Sequence, residues 1–122
     1  MKITIPVSIG ELLDKISILE IKNEMIQDHE KLKNVQKELE LLKEKAKDIE
    51  VPENLIYELK QTNLVLWKIE DSIRKKETLQ KFDREFVILA RNVYKTNDKR
   101  SDIKKEINLY TKSELIEEKS YE

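Results

Sequence analysis

One long stretch decides the fold: residues 82–110 read FDREFVILARNVYKTNDKRSDIKKEINLY. Its apolar residues recur at alternating intervals of three and four, the heptad pattern of a helix that packs along other helices. The pattern runs through Phe82, Phe86, Leu89, Val93, Thr96, Arg100, Ile103, Ile107 and Tyr110. Asp83, near the start of the stretch, is a candidate N-cap. The stretch therefore predicts one long helix whose seam is interrupted by polar residues.

Three further helices are predicted upstream of this one. The first spans about residues 9–27, and a capping box at Ser8 and Glu11 marks its start. In this motif the Ser8 hydroxyl accepts a hydrogen bond from the Glu11 amide, and the Glu11 carboxylate accepts one from the Ser8 amide. The second follows Asp28, a candidate cap, and the third spans about residues 52–80 with Pro52 in its first turn. Both carry heptad patterns, so we predict that the second and third helices form an antiparallel hairpin.

Together these elements predict an all-α fold, an antiparallel bundle of about four helices with heptad-type seams. We expect a single helical-bundle domain over residues 1–122. Residues 1–7 are predicted to form a short extended arm, because Ile3, Ile5 and Val7 alternate with other residues around Pro6. Residues 112–122 are predicted to form an acidic tail that becomes ordered only when it docks.

The composition excludes several classes of protein. One glycine and two prolines are too few for a β-barrel or for glycine-rich nucleotide-binding loops. The absence of cysteine excludes disulfides and thiolate metal sites. The 24 basic and 25 acidic residues nearly cancel, so the chain lacks the overall basic field of a dedicated nucleic-acid binder. No apolar run is long enough to span a membrane, and no membrane partner is predicted.

The first predicted helix has two apolar faces. One stripe contains Leu12, Ile16 and Leu19, and a second stripe of Ile18, Ile21 and Met25 lies on nearly the opposite side. Such a helix either lies in the centre of the bundle or is shared with a second chain. We predict a homodimer through this helix. Two polar positions in the seams, Asn23 and Thr62, are predicted to be buried residues that fix helix register.

Polar residues also converge at one level of the bundle. If the third and fourth helices reverse near residues 80–83, Arg100 comes level with Asn63, and Asn97 comes level with Leu66. On the third helix, Trp67, Glu70 and Arg74 lie 4, 7 and 11 residues after Asn63. At these intervals the helix turns back to within about 40° of the direction of Asn63, so the four residues share one face. The sequence therefore predicts an aromatic-floored polar site. Its candidate ligand-binding residues are Glu20, Asn63, Trp67, Glu70, Arg74, Arg91, Tyr94, Asn97, Asp98 and Arg100.

The same residues also fit a purely structural interpretation. Glu70 and Arg74 have the spacing of an ordinary intrahelical ion pair, and Trp67 and Tyr94 have the spacing of residues that cover a core. Residues 91–105 hold six basic and two acidic residues, which describes either a solvated helix face or a phosphate-binding surface. We predict no catalytic residue, no metal ligand and no cofactor, since the carboxylate and histidine spacings of helical metal enzymes are not reproduced.

Four segments resemble a family of short bacterial and phage proteins that is catalogued only as a domain of unknown function. They read PVSIGELLDKISILEIK from Pro6, LWKIEDSIR from Leu66, FVILARNVYKTNDKR from Phe86 and EEKSY from Glu117. The resemblance covers nearly the whole chain and implies that the tail motif ending at Tyr121 belongs to the domain. It implies no established activity. We expect a cytoplasmic protein, of a bacterium or of the host cell if the gene belongs to a phage.

Three functions stay open at this point. The leading hypothesis is a non-enzymatic interaction or ligand-binding module that self-associates and holds a small anionic ligand or a partner's peptide. The alternative is an enzyme that acts on a phosphorylated or nucleotide-activated small molecule, with Glu70 or Asp98 as general base and Arg74, Arg91 and Arg100 on the phosphate. The third is a nucleic-acid accessory protein that places residues 91–105 on phosphates, although the balanced charge disfavours a nucleic-acid partner.

Overall fold

The computed structural model describes residues 1–120, which contain four helices and no strand. The helices are α1 (Ile9–Met25), α2 (His29–Ala46), α3 (Glu53–Thr78) and α4 (Arg84–Thr111). Residues 1–7 precede α1 without helix or strand, and their side chains are exposed. The predicted all-α fold of about four helices is therefore confirmed. None of the helices in this part of the chain has an apolar stretch that could cross a membrane.

The predicted caps begin three of the helices. The Ser8 Oγ accepts a hydrogen bond from the Glu11 amide at 3.0 Å, and the carboxylates of Asp28 and Asp83 accept from amides at 3.1 and 3.0 Å at the starts of α2 and α4. The other half of the predicted capping box is wrong. The Glu11 carboxylate accepts instead from the Lys104 Nζ at 2.6 Å, because α4 lies close beside the start of α1.

The helices pair differently from the prediction. Within residues 1–120, α1 packs against each of the other three helices, whereas α2 packs against α1 alone. The predicted hairpin of the second and third helices is therefore wrong, and the hairpins are α1–α2 and α3–α4. The heptad stripe of α2 faces α1, where Val35 and Leu39 join the core formed by Leu12, Ile16 and Leu19. A heptad pattern indicates an apolar stripe but not which neighbour covers it.

The second core lies between α3 and α4 at the end remote from their connection. Leu55 and Leu59 of α3 pack with Ile103 and Ile107 of α4, and Ile9 of α1 packs against them. Residues near the start of α3 thus meet residues near the end of α4, which makes this hairpin antiparallel as predicted.

Both apolar faces of α1 are largely covered within the chain. Leu19 faces α2, Ile21 on the other side is 1% exposed, and Ile18 is half-buried, so that only Met25 of the second stripe is exposed. The central position in the bundle accounts for the two stripes. Homodimerisation through this helix stays a prediction, without support from an uncovered face. Asn23 is exposed and accepts from the Gln36 Nε2 at 3.1 Å, so its predicted burial is wrong, whereas Thr62 is buried.

The linked ends of α3 and α4 form a two-helix projection, residues 70–96, which we call the distal arm. These helices have 26 and 28 residues, against 17 in α1. Every position from 70 to 102 is described, and none of them is buried. Half-buried residues such as Ile73, Phe86 and Val93 form only a thin seam between the two helices. The heptad pattern therefore continues through the distal arm, but the core does not.

The acidic tail folds back over the start of α1. Lys112 ends α4 in a left-handed conformation with φ of 54°, which turns the chain back. The Ser113 Oγ accepts from the Ile9 amide at 3.1 Å, and the Glu117 Oε1 accepts from the buried Ser8 Oγ at 2.7 Å. Tyr121 of the tail motif lies outside the described residues.

Candidate binding groove

An open groove lies between α1, α3 and α4, at the base of the distal arm. Its volume is about 540 Å³, within the range of sites that bind small molecules or side chains. The apolar part of its lining comes from Ile18, Ile21, Leu66 and Trp67. The polar part comes from Asn63, Glu70, Asp71, Arg74, Asn97 and Arg100. Trp67 is half-buried, so the groove combines an aromatic surface with charges of both signs.

The groove brings together six of the ten predicted binding residues. They are Asn63, Trp67, Glu70, Arg74, Asn97 and Arg100, and they meet because the α3–α4 hairpin has the register that the sequence indicated.

The other four predicted residues do not line the groove. Glu20 lies with Lys60 around a separate hollow, and Asp98 accepts from the Lys119 Nζ at 2.7 Å on another face of α4. Tyr94 and Arg91 are exposed on the distal arm.

One end of the groove rests on a buried polar cluster, which we call the Asp14 cluster: Asp14 and Ser17 of α1, Asn63 of α3 and Arg100 of α4. The Arg100 guanidinium donates to both carboxylate oxygens of Asp14, with the Nε at 2.9 Å from Oδ1. The Asn63 Nδ2 donates to the Asp14 Oδ1 at 2.9 Å and to the Ser17 Oγ at 2.7 Å. The Asp14 side chain is only 1% exposed, so this network ties three helices together.

The Asp14 cluster also removes Arg100 from the charges that a ligand can use. The hydrogen bonds that Arg100 donates to Asp14 raise the pKa of Arg100 above its ordinary value, against a smaller opposing effect of burial. The remaining Arg100 Nη1 is 3.4 Å from the Asn97 Oδ1. Every buried side-chain nitrogen or oxygen within residues 1–120 has a hydrogen-bond partner. Arg100 therefore acts here as a structural cation rather than as an anion receptor.

Sequence reasoning missed Asp14, Ser17 and the residues beside them. Gly10, Asp14, Ser17 and Ile21 follow one another at intervals of four, three and four, so they form one stripe of α1. A search for apolar residues ignores such a stripe. The signal was the only glycine of the chain, since the Gly10 amide donates to the Asn108 Oδ1 at 2.7 Å where α1 and α4 approach most closely.

The remaining charges of the groove lie on its exposed rim. The Arg74 Nη2 is 3.6 Å from the Glu70 Oε2, and the Lys75 Nζ is 3.2 Å from the Asp71 Oδ2. Exposed ion pairs of this kind contribute little to the stability of the fold, and their charges exchange partners readily. The rim can therefore bind an incoming chain that carries charges of its own, while Trp67 offers a flat apolar surface to a side chain.

Three of the six basic residues in the run on α4 are bound by carboxylates of the same chain. Arg100 pairs with Asp14, the Lys104 Nζ is 2.6 Å from the Glu11 Oε2, and the Lys105 Nζ is 2.9 Å from the Glu118 Oε2. These pairs reduce the positive field that a phosphate backbone would need.

The comparison with known families supports the resemblance seen in the four sequence segments. A family model matches residues 1–122. The chain belongs to DUF6165, a family of unknown function. The suspected membership in an uncharacterised family is thereby confirmed. No curated protein and no solved structure matches the chain, so the family offers no ligand or activity to transfer to the groove.

Proposed function

We propose that this protein is a non-enzymatic interaction module whose groove docks a segment of another protein chain. One observation carries the proposal: the groove has an open apolar surface at the half-buried Trp67 next to exposed rim charges of both signs. An apolar side chain of a bound segment would cover Trp67, and its flanking charges would replace the weak pairs of the rim.

A small anionic ligand is less well supported than a peptide. Of the two arginines in the groove, Arg100 is bound by Asp14, and Arg74 lies beside Glu70 and Asp71. An anion would thus meet one available cation among carboxylates, which is an unfavourable field.

The alternative function, an enzyme acting on a phosphorylated or nucleotide-activated molecule, meets the same difficulty. It needs Arg74, Arg91 and Arg100 on one phosphate, but Arg91 lies outside the groove and Arg100 is already paired. Asp98, one of its two candidate bases, pairs with Lys119. Stabilisation by a phosphorylated metabolite in a thermal-shift panel, lost in Arg74→Ala, would favour this alternative.

Selection from a phage-displayed peptide library tests the proposal. Trp67 is the only tryptophan of the chain, so its fluorescence reports directly on the groove. We expect selected peptides to shift the Trp67 emission, and Asp71→Lys to weaken the binding of peptides with basic residues by about tenfold or more. Glu30→Lys, which changes an exposed acidic residue of α2, is the matched control and leaves affinity unchanged. Peptides that bind both variants equally, or that leave the emission unchanged, would contradict the proposal.

A further inference from the structure

The distal arm exposes apolar side chains that its two helices cannot cover. Leu79 is 63% exposed, Phe82 is 55% exposed and Val87 is 51% exposed, all near the connection between α3 and α4. Phe82 contacts Phe86 edge to face, with ring centroids 5.3 Å apart, but no third helix of residues 1–120 packs over the distal arm here. An isolated pair of helices buries too little apolar surface to be stable without further packing.

The same end of the distal arm carries charges of both signs, and they differ in whether they are paired. Lys76 lies between the carboxylates of Asp83 and Glu85, at 2.8 and 3.1 Å, and this fixes the connection. Lys81 and Arg84, in contrast, have no carboxylate partner among residues 1–120. The tip of the arm, residues 79–87, thus combines exposed apolar residues with unpaired basic ones.

The rim of the groove offers two carboxylates, in weak pairs with Arg74 and Lys75, beside its apolar surface. Glu70 and Asp71 lie beside Trp67 and Leu66, and their side chains are 46% and 62% exposed. Positions 71 and 79 are eight residues apart, about 12 Å along a helix. Two distal arms lying side by side in opposite directions would therefore place each tip beside the groove of the other chain.

We propose that the occupant of the groove is the arm tip of a second copy of this chain. This inference rests on the proposed function and names its partner. In a twofold dimer, residues 79–87 of each copy cover Trp67 of the other, and Lys81 and Arg84 meet Glu70 and Asp71. The two arms together form four packed helices, which supplies the core that one arm lacks. Each groove is incomplete without the other copy.

Light scattering and sedimentation at micromolar concentration measure the first consequence. We expect the intact protein to have twice the 14.6 kDa mass of the chain. Phe82→Glu raises the dimer dissociation constant by about 100-fold or more, because it places a carboxylate on the acidic rim. Leu41→Glu, a matched change at a 46% exposed apolar residue of α2, leaves the dimer intact. Circular dichroism shows whether each variant keeps its helices.

A charge exchange tests the partner residues directly. The double variants K81E/R84E and E70K/D71K each place like charges together in a homodimer, so each is monomeric alone. Mixing the two restores a dimer, since both contacts of the mixed pair then join opposite charges. A monomeric intact protein, or a mixture that stays monomeric, would overturn the inference. So would a dimer that Phe82→Glu preserves and Met25→Glu dissociates, a result that would place the contact on α1.

The two proposals can fail separately. If the intact protein is monomeric and selected peptides still shift the Trp67 emission, the groove is a docking site but not for a second copy. If the dimer forms as described and no peptide binds even to the Phe82→Glu variant, the groove recognises only its own arm, and docking of any other protein is ruled out.

Discussion

The two halves of the α3–α4 hairpin share one sequence pattern but differ in what surrounds them. In the half that α1 covers, Leu59 and Ile107 are 1% and 0% exposed, and the Asp14 cluster is fully hydrogen-bonded. In the distal arm the heptad continues through Ile73, Phe86 and Val93, yet no residue is buried. The difference teaches that a heptad seam specifies the pairing of α3 with α4, while burial of their side chains requires the cover that α1 supplies.

The difference also determines which polar contacts matter for stability. Asp14 is withdrawn from water and Arg100 is half-buried, so losing one partner leaves a charge that water solvates only in part. Asp71 and Lys75 on the distal arm remain hydrated whether or not they pair. Substitutions of equal chemistry in the two halves should therefore have very different effects.

The largest expected effect is that of Asp14→Ala. We expect it to lower the free energy of unfolding by about 3 kcal/mol, because Arg100 and Asn63 both lose their acceptor in a buried site. Urea denaturation followed by circular dichroism measures the loss. Asp71→Ala, the same change on the distal arm, is the control; in the Phe82→Glu background, where no dimer contact involves Asp71, it stays within about 0.5 kcal/mol of its parent.

Removing both charges sharpens this comparison. The double substitution Asp14→Leu with Arg100→Met should recover part of the loss, since no buried charge is then left alone. Equal effects of Asp14→Ala and Asp71→Ala would contradict the claim that the covered half alone depends on buried polar contacts.

The next effect concerns the close approach of α1 and α4. A Cβ at Gly10 would lie 2.6 Å from the Lys104 carbonyl oxygen and 2.9 Å from the Asn108 Oδ1. The backbone must move to relieve this, so we expect Gly10→Ala to cost about 2 kcal/mol. Alanine is the better helix former by about 1 kcal/mol, so any net loss measures the contact itself.

Thermal and urea unfolding check this prediction, with Lys15→Ala on the exposed face of α1 as the control. A Gly10→Ala variant that is as stable as the intact protein would show that α1 and α4 separate at little cost, and the covered half would then resemble the distal arm.

Much of the architecture could be predicted from local chemistry. Ser8, Asp28 and Asp83 mark helix starts because their side chains satisfy backbone amides, which is a property of a few neighbouring residues. The α3–α4 register followed from a short connection and two heptad patterns. The neighbour of α2 could not be predicted, since its apolar stripe fits α1 and α3 equally well and the six-residue connection before α3 permits either.

The groove was predictable only in part for a related reason. Helical spacing placed Asn63 and Trp67 on one side of α3, but it could not decide on which side of α4 Tyr94 and Asp98 would lie. That depends on the rotation of each helix in the bundle, which α1 fixes through Gly10 and the Asp14 cluster. These contacts are long-range and polar, so a search for apolar periodicity does not detect them.

The smallest expected effect is the pH dependence at the tip of the distal arm. Asp83 accepts hydrogen bonds from the Lys76 ammonium and from the Phe86 amide, and both lower the pKa of Asp83 below its ordinary value. The folded state therefore releases the Asp83 proton more readily than the unfolded chain. Its contribution to stability is complete above the ordinary carboxyl pKa and disappears as the pH falls through the lowered one.

Asp83→Asn isolates this contribution, because asparagine is also a good N-cap but carries no charge for Lys76. We expect the variant to be slightly less stable than the intact protein at neutral pH, and the difference to vanish as the pH falls through the lowered pKa of Asp83. Urea unfolding at several pH values measures it, and added salt should weaken the difference further, since the Asp83 carboxylate is exposed. A difference that persists in acid would mean that the carboxylate acts through packing rather than charge, which would make the tip more like the covered half than its exposure indicates.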